Sequence, residues 1–474
     1  MINKVSERMR GISSRLSLPY LIFFEIVLIC RMVSIYSLSP SKIDSLFTLI
    51  IMALSAIYFT FKYIPDLLEK KRIKIEYLLI VFMLVLVITT FVNRSYAFTD
   101  NLKLIIWQGM FFFCVFEIGR DNDKRVFKIF ENVLLIIWTI LVIIAFYLFF
   151  ARVSFSTPVE SLYYGMRIGF FENRLYGVFV EPNYACTVSI VCIFFAIRNV
   201  ISTQIKWKKV LYIFVIFLQF SYVALSGSRS GVIQLSAAIF FGVFFLYLYS
   251  ASNSSRKMFA KVSVAILLSL ICSAISVGGI SLFKTGYTQL ANNIQISTPF
   301  IVDDIEKETS KEIPDDVELT TERPDVAENK DISNSRFKLW SSAVDLMKLN
   351  PLFGTSPRGF ADVAKTKIPE TYIAKTAQSP HSFFFYLLAA TGISGTIVFM
   401  VFLISKMVKS IRLLFRMNIK DYFQFLIDNQ IVLVILVSGL LITEVVLTRR
   451  FGTFVFWLYL GKLQSQFDKY EIPR

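Results

Sequence analysis

The single histidine of the chain, His381, is the residue whose type most directly suggests chemistry. It follows a long polar segment and opens an apolar run that contains Gly392-Ile393-Ser394-Gly395. Imidazole titrates near neutral pH, so a histidine here could accept a proton from a hydroxyl group. A helix cap or an interfacial polar group is the alternative role. The neighbouring residues must decide between these roles.

Arginines recur at the edges of apolar runs, where a membrane helix would begin or end. They are Arg174, Arg229, Arg336, Arg358 and the adjacent pair Arg449 and Arg450. A guanidinium group keeps its charge near lipid and binds phosphate oxygens through two parallel hydrogen bonds. Lipid headgroups would explain any one of these arginines. Several arginines on one face favour an anionic ligand.

The turn Gly227-Ser228-Arg229-Ser230-Gly231 supports an anion site. Its two glycines allow a tight backbone turn. Arg229 would then stand at the start of a helix, and a helix N-terminus attracts anions.

A carboxylate and an amide flank a proline in Glu181-Pro182-Asn183, within the apolar run 177–200. Polar groups at membrane depth are costly and usually line a cavity. A carboxylate in a cavity of low dielectric can hold a proton near neutral pH, so Glu181 is a second candidate base. Asn183 is a candidate substrate ligand. A simple kink, with the carboxylate at the membrane interface, is the alternative.

Other charged residues also lie inside apolar runs. Glu444, in the run 431–447, follows the same argument as a carboxylate that lines a cavity. Glu25 and Arg31, in the first run, are expected to form a structural pair.

The elements that would position these groups are mostly apolar. The 474 residues are 55% hydrophobic and 18% charged, with a mean hydropathy of +0.62. The apolar residues form solid runs of roughly 18–25, the length that crosses a bilayer as a helix. A membrane β-barrel would instead need alternation. The sequence therefore predicts an all-α polytopic membrane protein with about twelve transmembrane helices.

Lys and Arg concentrate in alternate connections between the runs, such as residues 69–74, 120–128 and 406–420. Cytoplasmic connections carry such an excess of positive charge, so both termini are predicted to be cytoplasmic and the longest loop extracellular. The net charge of +16 follows from this distribution and does not predict a nucleic-acid partner.

The longest polar segment divides the chain into three predicted parts. Residues 1–282 would hold nine transmembrane helices, residues 283–380 one large extracellular loop, and residues 381–474 three more helices and a cytoplasmic C-terminal segment. Within the loop, residues 292–334 are acidic and poor in aromatic side chains, so they are predicted to be flexible.

Residues 335–350 are predicted to form an amphipathic helix on the outer surface. Its apolar face would consist of four residues at helical spacing, namely Phe337, Trp340, Val344 and Met347. The helix should stop before Pro351, because the residue before a proline avoids the α region. It would carry Arg336, and Trp340 is a candidate substrate contact.

Four short motifs follow one another in an order that is known from one family. They are Arg174–Asn183, Ser228–Gly231, the helix of Arg336 and Trp340 with its end Asn350–Gly354, and His381 with Gly392–Gly395. Together they resemble the O-antigen ligase and polymerase superfamily, and within it the Wzy-type polysaccharide polymerases. Two features depart from the family pattern. Thr355-Ser356 follows Gly354 where Gly-x-Gly is more usual, and the acidic stretch 292–334 looks like an insertion.

The resemblance implies a metal-independent membrane glycosyltransferase that needs no cofactor. It would take an oligosaccharide from undecaprenyl diphosphate on the outer face of a bacterial cytoplasmic membrane, and a flippase and a chain-length regulator would be functional partners. His381 would be the base, with Glu181 as the alternative. The diphosphate would be bound by Arg174, Arg229, Arg336, Arg358 and Arg449, with Asn183 and Trp340 as further substrate contacts.

Three functions remain open within this interpretation. A polymerase would join repeat units into a capsular or O-antigen-like polysaccharide, and the Lys-, Phe- and Ile-rich composition favours it because it is typical of bacteria that lack an outer membrane. A ligase would move the finished glycan to another acceptor. A flippase is expected to show two related halves, and no such repeat is evident. A membrane scaffold without catalytic activity is a fourth, weaker interpretation.

Overall fold

The computed structural model describes residues 2–71, 73–159, 165–252, 254–255, 257–294, 319–321, 335–416 and 421–470. Most of the acidic stretch 292–334, which the sequence predicts to be flexible, lies outside these residues. Residues 319–321 are described within it. There Leu319 is buried, and its backbone amide donates a hydrogen bond to Asn292 Oδ1 at 2.9 Å. The stretch is therefore attached to the preceding helix at this point.

Helices make up most of the described chain, as the apolar runs predict. In chain order they are α1 (Ile2–Cys30), α2 (Ser41–Leu68), α3 (Tyr77–Val92), α4 (Phe98–Met110), α5 (Phe116–Asp121), α6 (Lys124–Phe150), α7 (Pro182–Ser202), α8 (Lys206–Leu225), α9 (Arg229–Ser250), α10 (Met258–Asn293), α11 (Arg336–Leu349), α12 (Phe360–Lys367), α13 (Tyr372–Thr376), α14 (Phe383–Arg416), α15 (Tyr422–Leu441) and α16 (Phe451–Tyr470). A π-helical turn, Phe111–Val115, joins α4 to α5.

Ten helices in the described ranges are long and apolar enough to cross a membrane, judged by length and composition. The joined helix α4–α5 counts as one of them. α3 is shorter, at 16 residues, and α16 is not among the ten. Each predicted apolar run overlaps one helix, so the multi-pass helical class is confirmed. The number of crossings and their direction stay predictions.

A small antiparallel sheet, which the sequence analysis did not predict, lies between α6 and α7 in chain order. Its strands β1 (Ser154–Thr157), β2 (Met166–Phe171) and β3 (Arg174–Gly177) lie in the order β1-β2-β3. Across the second turn Phe171 pairs with Arg174, and Glu172 and Asn173 between them both have positive φ. These are features of a type I′ hairpin, in which asparagine is favoured.

The chain forms two compact units. The first consists of Met1–Phe24, Phe47–Phe127 and Ser333–Arg474, and the second of Glu25–Leu46 and Lys128–Ile332. In the first unit, α14 packs against α3 and α11, and α16 packs against α5 and α15. In the second unit, α7 packs against α8 and α9, and α10 packs against both α8 and α9.

Close helix contact in the first unit depends on two glycines. A Cβ on Gly119 of α5 would collide with the carbonyl of Leu458 in α16, and one on Gly461 would collide with the carbonyl of Phe116. Small residues allow membrane helices to approach in this way. Beside this contact the buried Trp457 ring lies 4.4 Å from Phe112. This packing anchors the N-terminal half of α16.

An aromatic cluster in the core of the second unit holds the chain that follows strand β3. The Trp138 ring stacks on Phe179 at 4.6 Å, and Phe179 meets the buried Tyr222 ring edge-on at 5.3 Å. β3 packs against α7 and α8. The aromatic cluster therefore fixes the backbone that follows Arg174.

The expected pairing of Glu25 with Arg31 is wrong. Arg31 Nε donates to Asp44 Oδ1 at 2.8 Å, and Tyr36 donates to the same oxygen at 2.9 Å. Within the described residues, neither carboxylate oxygen of the buried Glu25 has a hydrogen-bond partner. The reason is geometric, because α1 ends at Cys30 and Arg31 lies in the turn beyond it.

Candidate functional site

In the second unit Arg174, Glu181 and Asn183 form one hydrogen-bonded cluster. Arg174 Nη2 donates to Asn183 Oδ1 at 2.9 Å. Asn183 Nδ2 in turn donates to Glu181 Oε1 at 2.6 Å. The Arg174 side chain is mostly buried, whereas Glu181 is partly exposed and lies 4.0 Å from the guanidinium. A buried cation thus lies next to two oxygen-bearing side chains.

This cluster lies at the start of α7. Glu181 is the N-cap, its carboxylate accepts the Asn183 amide, and Pro182 occupies the first helical position. Carboxylates and prolines are favoured at those positions. The sequence analysis placed the beginning of this helix at residue 177, so that beginning is corrected to Pro182. The proline starts the helix because it lacks the amide hydrogen that a helix interior requires.

The turn before α9 packs against Arg174. Arg174 Nε donates to the Ser226 carbonyl at 3.0 Å. Gly227 has a φ of +61°, and a Cβ there would lie 3.0 Å from the Arg174 side chain. Ser228 caps α9 by accepting the Gly231 amide at 3.1 Å. The predicted tight turn is therefore present, with Arg229 as the first residue of α9.

The sheet adds a second arginine that the sequence analysis did not single out. Arg167 Nη1 donates to the Tyr176 hydroxyl at 2.9 Å, and its guanidinium lies 4.6 Å from the Phe171 ring centre. Arg174 lies 5.8 Å from the ring centre of the same Tyr176. One tyrosine ring therefore contacts both guanidinium groups. In the sequence, the aromatic residues along the hairpin were the feature that could have indicated Arg167.

In the first unit His381 lies between α13 and α14 with a φ of +50°. It is half-buried. Burial, together with the positive charges of Arg336 and Arg450, lowers the pKa of His381 from 6.5 to about 4. The imidazole is therefore uncharged at neutral pH and has a nitrogen lone pair with which it can accept a proton.

The predicted helix of Arg336 and Trp340 is present as α11, but its buried face is not the predicted one. Phe337 is 67% exposed, and the face that packs on the protein consists of Leu339, Ala343 and Leu346, each 0% exposed. The periodicity was ambiguous because apolar residues occur on both faces.

Trp340 links α11 to the histidine. Its Nε1 donates to the carbonyl of Pro380, the residue before His381, at 3.0 Å. Its ring stacks on Phe385 of α14 at 4.8 Å with an interplanar angle of 13°. Trp340 thus fixes the position of α11 relative to the start of α14.

Two glycine motifs meet behind His381. Helix α14 is broken at Gly392, which has φ 63° and ψ −162°. The turn after α11 enters this break, so that Thr355 and Ser356 donate their amides to the carbonyls of Ala389 and Ala390 at 2.9 and 3.0 Å. Irregular backbone at membrane depth is tolerated where such hydrogen bonds satisfy it.

The same turn carries Arg358. The Asn101 side chain accepts the Arg358 amide at 2.9 Å and donates to the Ser356 hydroxyl at 3.1 Å. The Tyr386 hydroxyl donates to the Pro357 carbonyl at 2.7 Å. Arg358 is therefore held next to α14 by buried polar side chains.

The predicted helix 431–447 ends earlier, at Leu441, and residues 442–450 are not helical. Val445 and Leu447 have φ values of 76° and 60°. Such values are strained for side chains with a Cβ and need surrounding structure to hold them. Gln108 supplies part of it by accepting the Leu447 amide at 3.0 Å and donating to the Thr448 carbonyl at 3.2 Å. An apolar run alone does not distinguish such a buried segment from a helix.

This segment, residues 442–450, ends in the two arginines and also carries Glu444. Arg449 lies 5.8 Å from the Trp107 ring centre. Glu444 is 1% exposed and accepts a hydrogen bond from Ser438 at 2.7 Å. Burial raises the pKa of Glu444 from 4.5 to about 7, although the hydrogen bond and the charge of Arg450 oppose the rise.

Comparison with known families now adds to this geometry. Residues 214–400 match the family model Wzy_C, described as O-antigen ligase. This match supports membership of the O-antigen ligase and polymerase superfamily. No curated protein matches it, and neither does a solved structure. Superfamily membership, together with the apolar helices, indicates a multi-pass bacterial membrane protein with a ligase- or polymerase-type function.

The part that matches the superfamily contains some of the candidate residues and not others. Arg229, Arg336, Trp340, Arg358 and His381 lie inside the matched residues, and Arg174, Glu181, Asn183 and Arg449 lie outside. Within the second unit the structure joins Arg174, Glu181 and Asn183 next to the turn of Arg229. Within the first unit it groups His381 with Arg336, Trp340 and Arg450. The predicted convergence of all these residues on one substrate stays a prediction.

Two residues of the segment 442–450 were not chosen as site residues from the sequence. Arg450, rather than its neighbour Arg449, is the arginine of the pair whose charge acts on His381. Glu444 was expected only to line a cavity, and the charge of Arg450 also acts on its carboxyl. No sequence pattern distinguishes Arg449 from Arg450, because the two are adjacent and identical in type.

Proposed function

We propose that this superfamily member is a polymerase. It joins undecaprenyl-diphosphate-linked oligosaccharide repeat units into a capsular or O-antigen-like polysaccharide at the outer face of the cytoplasmic membrane. The observation that carries the proposal is an uncharged His381 beside the cations Arg336 and Arg450. The neutral imidazole has a lone pair that can accept a hydroxyl proton, and the fixed positive charges suit a reaction that releases an anion.

The reaction forms one glycosidic bond and breaks one. The acceptor hydroxyl oxygen attacks the anomeric carbon of the donor glycan, and the bond from that carbon to the diphosphate oxygen breaks. Its electron pair leaves with the lipid diphosphate. The hydroxyl proton passes to the imidazole of His381. Diphosphate is a good leaving group, so the protein needs to stabilise its charge and need not protonate it.

Arginines supply this stabilisation in our proposal. We assign diphosphate binding to Arg336, Arg358 and Arg449 in the first unit, together with Arg450, and to Arg174 and Arg229 in the second. Preorganised cations lower the energy of charge that develops in the transition state. Because the guanidinium groups carry this charge, we propose a metal-independent reaction without a cofactor.

Glu181 is the alternative base, and its contacts make it the weaker one. Its Oε1 already accepts hydrogen bonds from the amide and the side chain of Asn183, and Arg174 lies 4.0 Å away. A carboxylate oxygen that already accepts two hydrogen bonds from its neighbour is less available to the hydroxyl of an acceptor. We therefore propose that Glu181 orients Asn183, and that Asn183 and Trp340 contribute to substrate binding.

The membrane arrangement is part of the proposal. The charge distribution supports twelve crossings, cytoplasmic termini and an extracellular loop at residues 283–380 between the helices of 1–282 and 381–474. This arrangement would expose His381 to the outside, where a flippase delivers lipid-linked repeat units. A chain-length regulator would act on the growing polymer.

A ligase is the second candidate, because the matching family is described as O-antigen ligase. A gel of surface glycan from a strain that lacks this chain separates the functions. Loss of the whole ladder with retention of lipid-linked single repeats supports the polymerase. Finished polymer retained on its carrier indicates the ligase, and absence of lipid-linked units at the outer face indicates a flippase.

A further inference from the structure

His381 lies near two arginines that come from different elements of the first unit. Arg336 is the first residue of α11, and Arg450 is the last residue before α16. Both positive charges act on the half-buried imidazole. Its protonation is therefore governed by burial and by the two guanidinium charges.

Two hydrogen bonds hold these elements around the histidine. Trp340, one helical turn after Arg336, donates to the carbonyl that precedes His381 at 3.0 Å. Residues four apart lie on the same face of a helix, so Arg336 is on the side of α11 that faces the histidine. The hydroxyls of Ser379 and Thr443 lie 3.1 Å apart and connect the histidine loop to residues 442–450.

The charges that act on the imidazole come from two elements. Arg336 lies at the start of α11, and Arg450 lies at the end of residues 442–450. The charge of Arg450 also acts on the carboxyl of Glu444 in the same segment. In α14, the Tyr386 hydroxyl donates to the Pro357 carbonyl.

We propose that the anionic diphosphate of the donor, held by Arg336 and Arg450, restores the basicity of His381. The base then becomes effective only while the donor is bound. This inference rests on the proposed function, because it takes a lipid-linked diphosphate as the donor. It adds that the substrate itself controls the base.

The physical reason is electrostatic. A protonated imidazole beside two guanidinium groups is destabilised by like charge, and an anion that neutralises these groups removes the repulsion. Burial opposes protonation with or without the anion, so the recovery is partial. The pKa of His381 should rise from about 4 by about one unit, which increases its protonated fraction about tenfold at a given pH above the pKa.

The same coupling would reset the enzyme after each transfer. The proton taken from the acceptor hydroxyl resides on the imidazole while the lipid diphosphate is bound. When the lipid diphosphate leaves, the two arginine charges act on the imidazolium again and expel its proton to water. The neutral base is thereby regenerated, and the proton and the leaving group depart together.

The experiment uses the fact that the chain contains one histidine. The full-length protein, purified with an affinity tag that contains no histidine, is labelled with isotopic histidine and placed in lipid nanodiscs. Its single imidazole signal is titrated by NMR with and without inorganic diphosphate. We expect a midpoint near 4, as the structure indicates, and a rise of about one unit with diphosphate.

Variants assign the effect to the two arginines. Arg336→Gln and Arg450→Gln should each raise the midpoint without ligand and reduce the shift that diphosphate causes. Arg94→Gln is the matched control, because Arg94 is an exposed arginine of the first unit that is not among the charges acting on His381. Its midpoint and its shift should equal those of the unaltered protein. Tryptophan fluorescence at each pH confirms that the protein is folded.

Two results would overturn the inference. One is a wild-type midpoint that does not move with diphosphate. The other is a shift that persists undiminished in both glutamine variants. The titration requires no turnover, so it is independent of the glycan ladder. If diphosphate shifts the midpoint but deletion of the protein leaves the ladder intact, the polymerase is refuted and the coupling stands. If deletion removes the ladder but the midpoint does not move, the coupling is refuted and the polymerase stands.

Discussion

The carbonyl oxygen of Pro351 accepts a hydrogen bond from the amide of Ile393 at 2.8 Å. This bond joins the turn after α11 to the break in α14. It explains why two motifs far apart in the sequence both contain glycine. Gly354 and Gly392 each have a φ of 63°, and each lies against the backbone of the other segment.

Gly392→Ala should therefore destabilise the first unit. A Cβ at this position would lie 2.5 Å from the Pro351 carbonyl oxygen, and the positive φ adds strain of about 1–3 kcal/mol. We expect a lower thermal midpoint in detergent and a lower yield of folded protein. Gly278→Ala in α10 is the control, because no atom lies within 4 Å of the added Cβ. Equal midpoints for the two variants would contradict the role of the break.

His381→Ala should abolish polymer while lipid-linked single repeats accumulate. General base catalysis contributes roughly 10²–10⁴-fold, so residual polymer should be below about 1% of normal. A gel of surface glycan, together with extraction of the lipid-linked pool, measures both quantities. Lys375→Ala, at an exposed position in the preceding helix, should leave the ladder unchanged. Long chains made by the His381 variant would show that another group is the base.

Arg174→Lys should impair polymer formation although it keeps the positive charge. Arg174 donates from two different nitrogens to Ser226 and Asn183, and one ammonium group cannot reproduce this geometry. Loss of one charge-assisted hydrogen bond costs about 1.5–3 kcal/mol, or roughly tenfold or more in activity. Arg229→Lys should also be impaired if Arg229 binds the diphosphate. Arg412→Lys, at an exposed position, is the control. Full activity of the Arg174 variant would show that these two hydrogen bonds are not needed for the reaction, and full activity of the Arg229 variant would favour a headgroup contact for Arg229.

Glu444→Gln should change how stability depends on pH. The folded-state pKa of about 7 lies above the ordinary value of 4.5, so the folded protein favours the protonated carboxyl. This contribution to the free energy of unfolding is complete below pH 4.5 and is lost as the pH rises through 7. Thermal midpoints of the unaltered protein should fall between pH 5 and about pH 8, and those of the variant should fall less. Glu370→Gln, at an exposed position, should keep the original profile. Identical profiles for all three proteins would show that Glu444 does not titrate in this range.

A deletion within the acidic stretch should leave activity largely intact if it spares the attachment at Leu319. This stretch has too few apolar residues to bury the surface that would offset the conformational entropy lost on ordering. Removing residues 303–317 keeps Leu319, which is 4% exposed and is bonded to Asn292. We expect a normal glycan ladder from this deletion. A shortened or absent ladder would assign the acidic residues a role in the reaction or in chain-length control.

Much of the architecture could be predicted from the sequence, because it depends on local properties. Each apolar run overlaps a helix, since a continuous apolar segment long enough to cross a bilayer must satisfy its backbone hydrogen bonds internally. Arg229 was expected and found at the start of α9. The tight turn before α9 followed from its two glycines. These features depend on residues that are close together in the chain, so the local sequence predicts them.

The tertiary structure decided the features that depend on contacts between distant residues. Residues 442–447 belong to the run 431–447 that was expected to be helical, yet Gln108 and Trp457 bind the backbone of this segment and hold it in a strained conformation. That conformation places the charge of Arg450, not that of Arg449, on His381. Likewise, packing buries Leu339, Ala343 and Leu346 of α11 and not the predicted face. The sequence alone predicted that a histidine and several arginines stand at membrane edges. Only packing between distant segments decided which arginine charges act on the histidine. The reason is that electrostatic coupling depends on distance in space and not on separation in the chain.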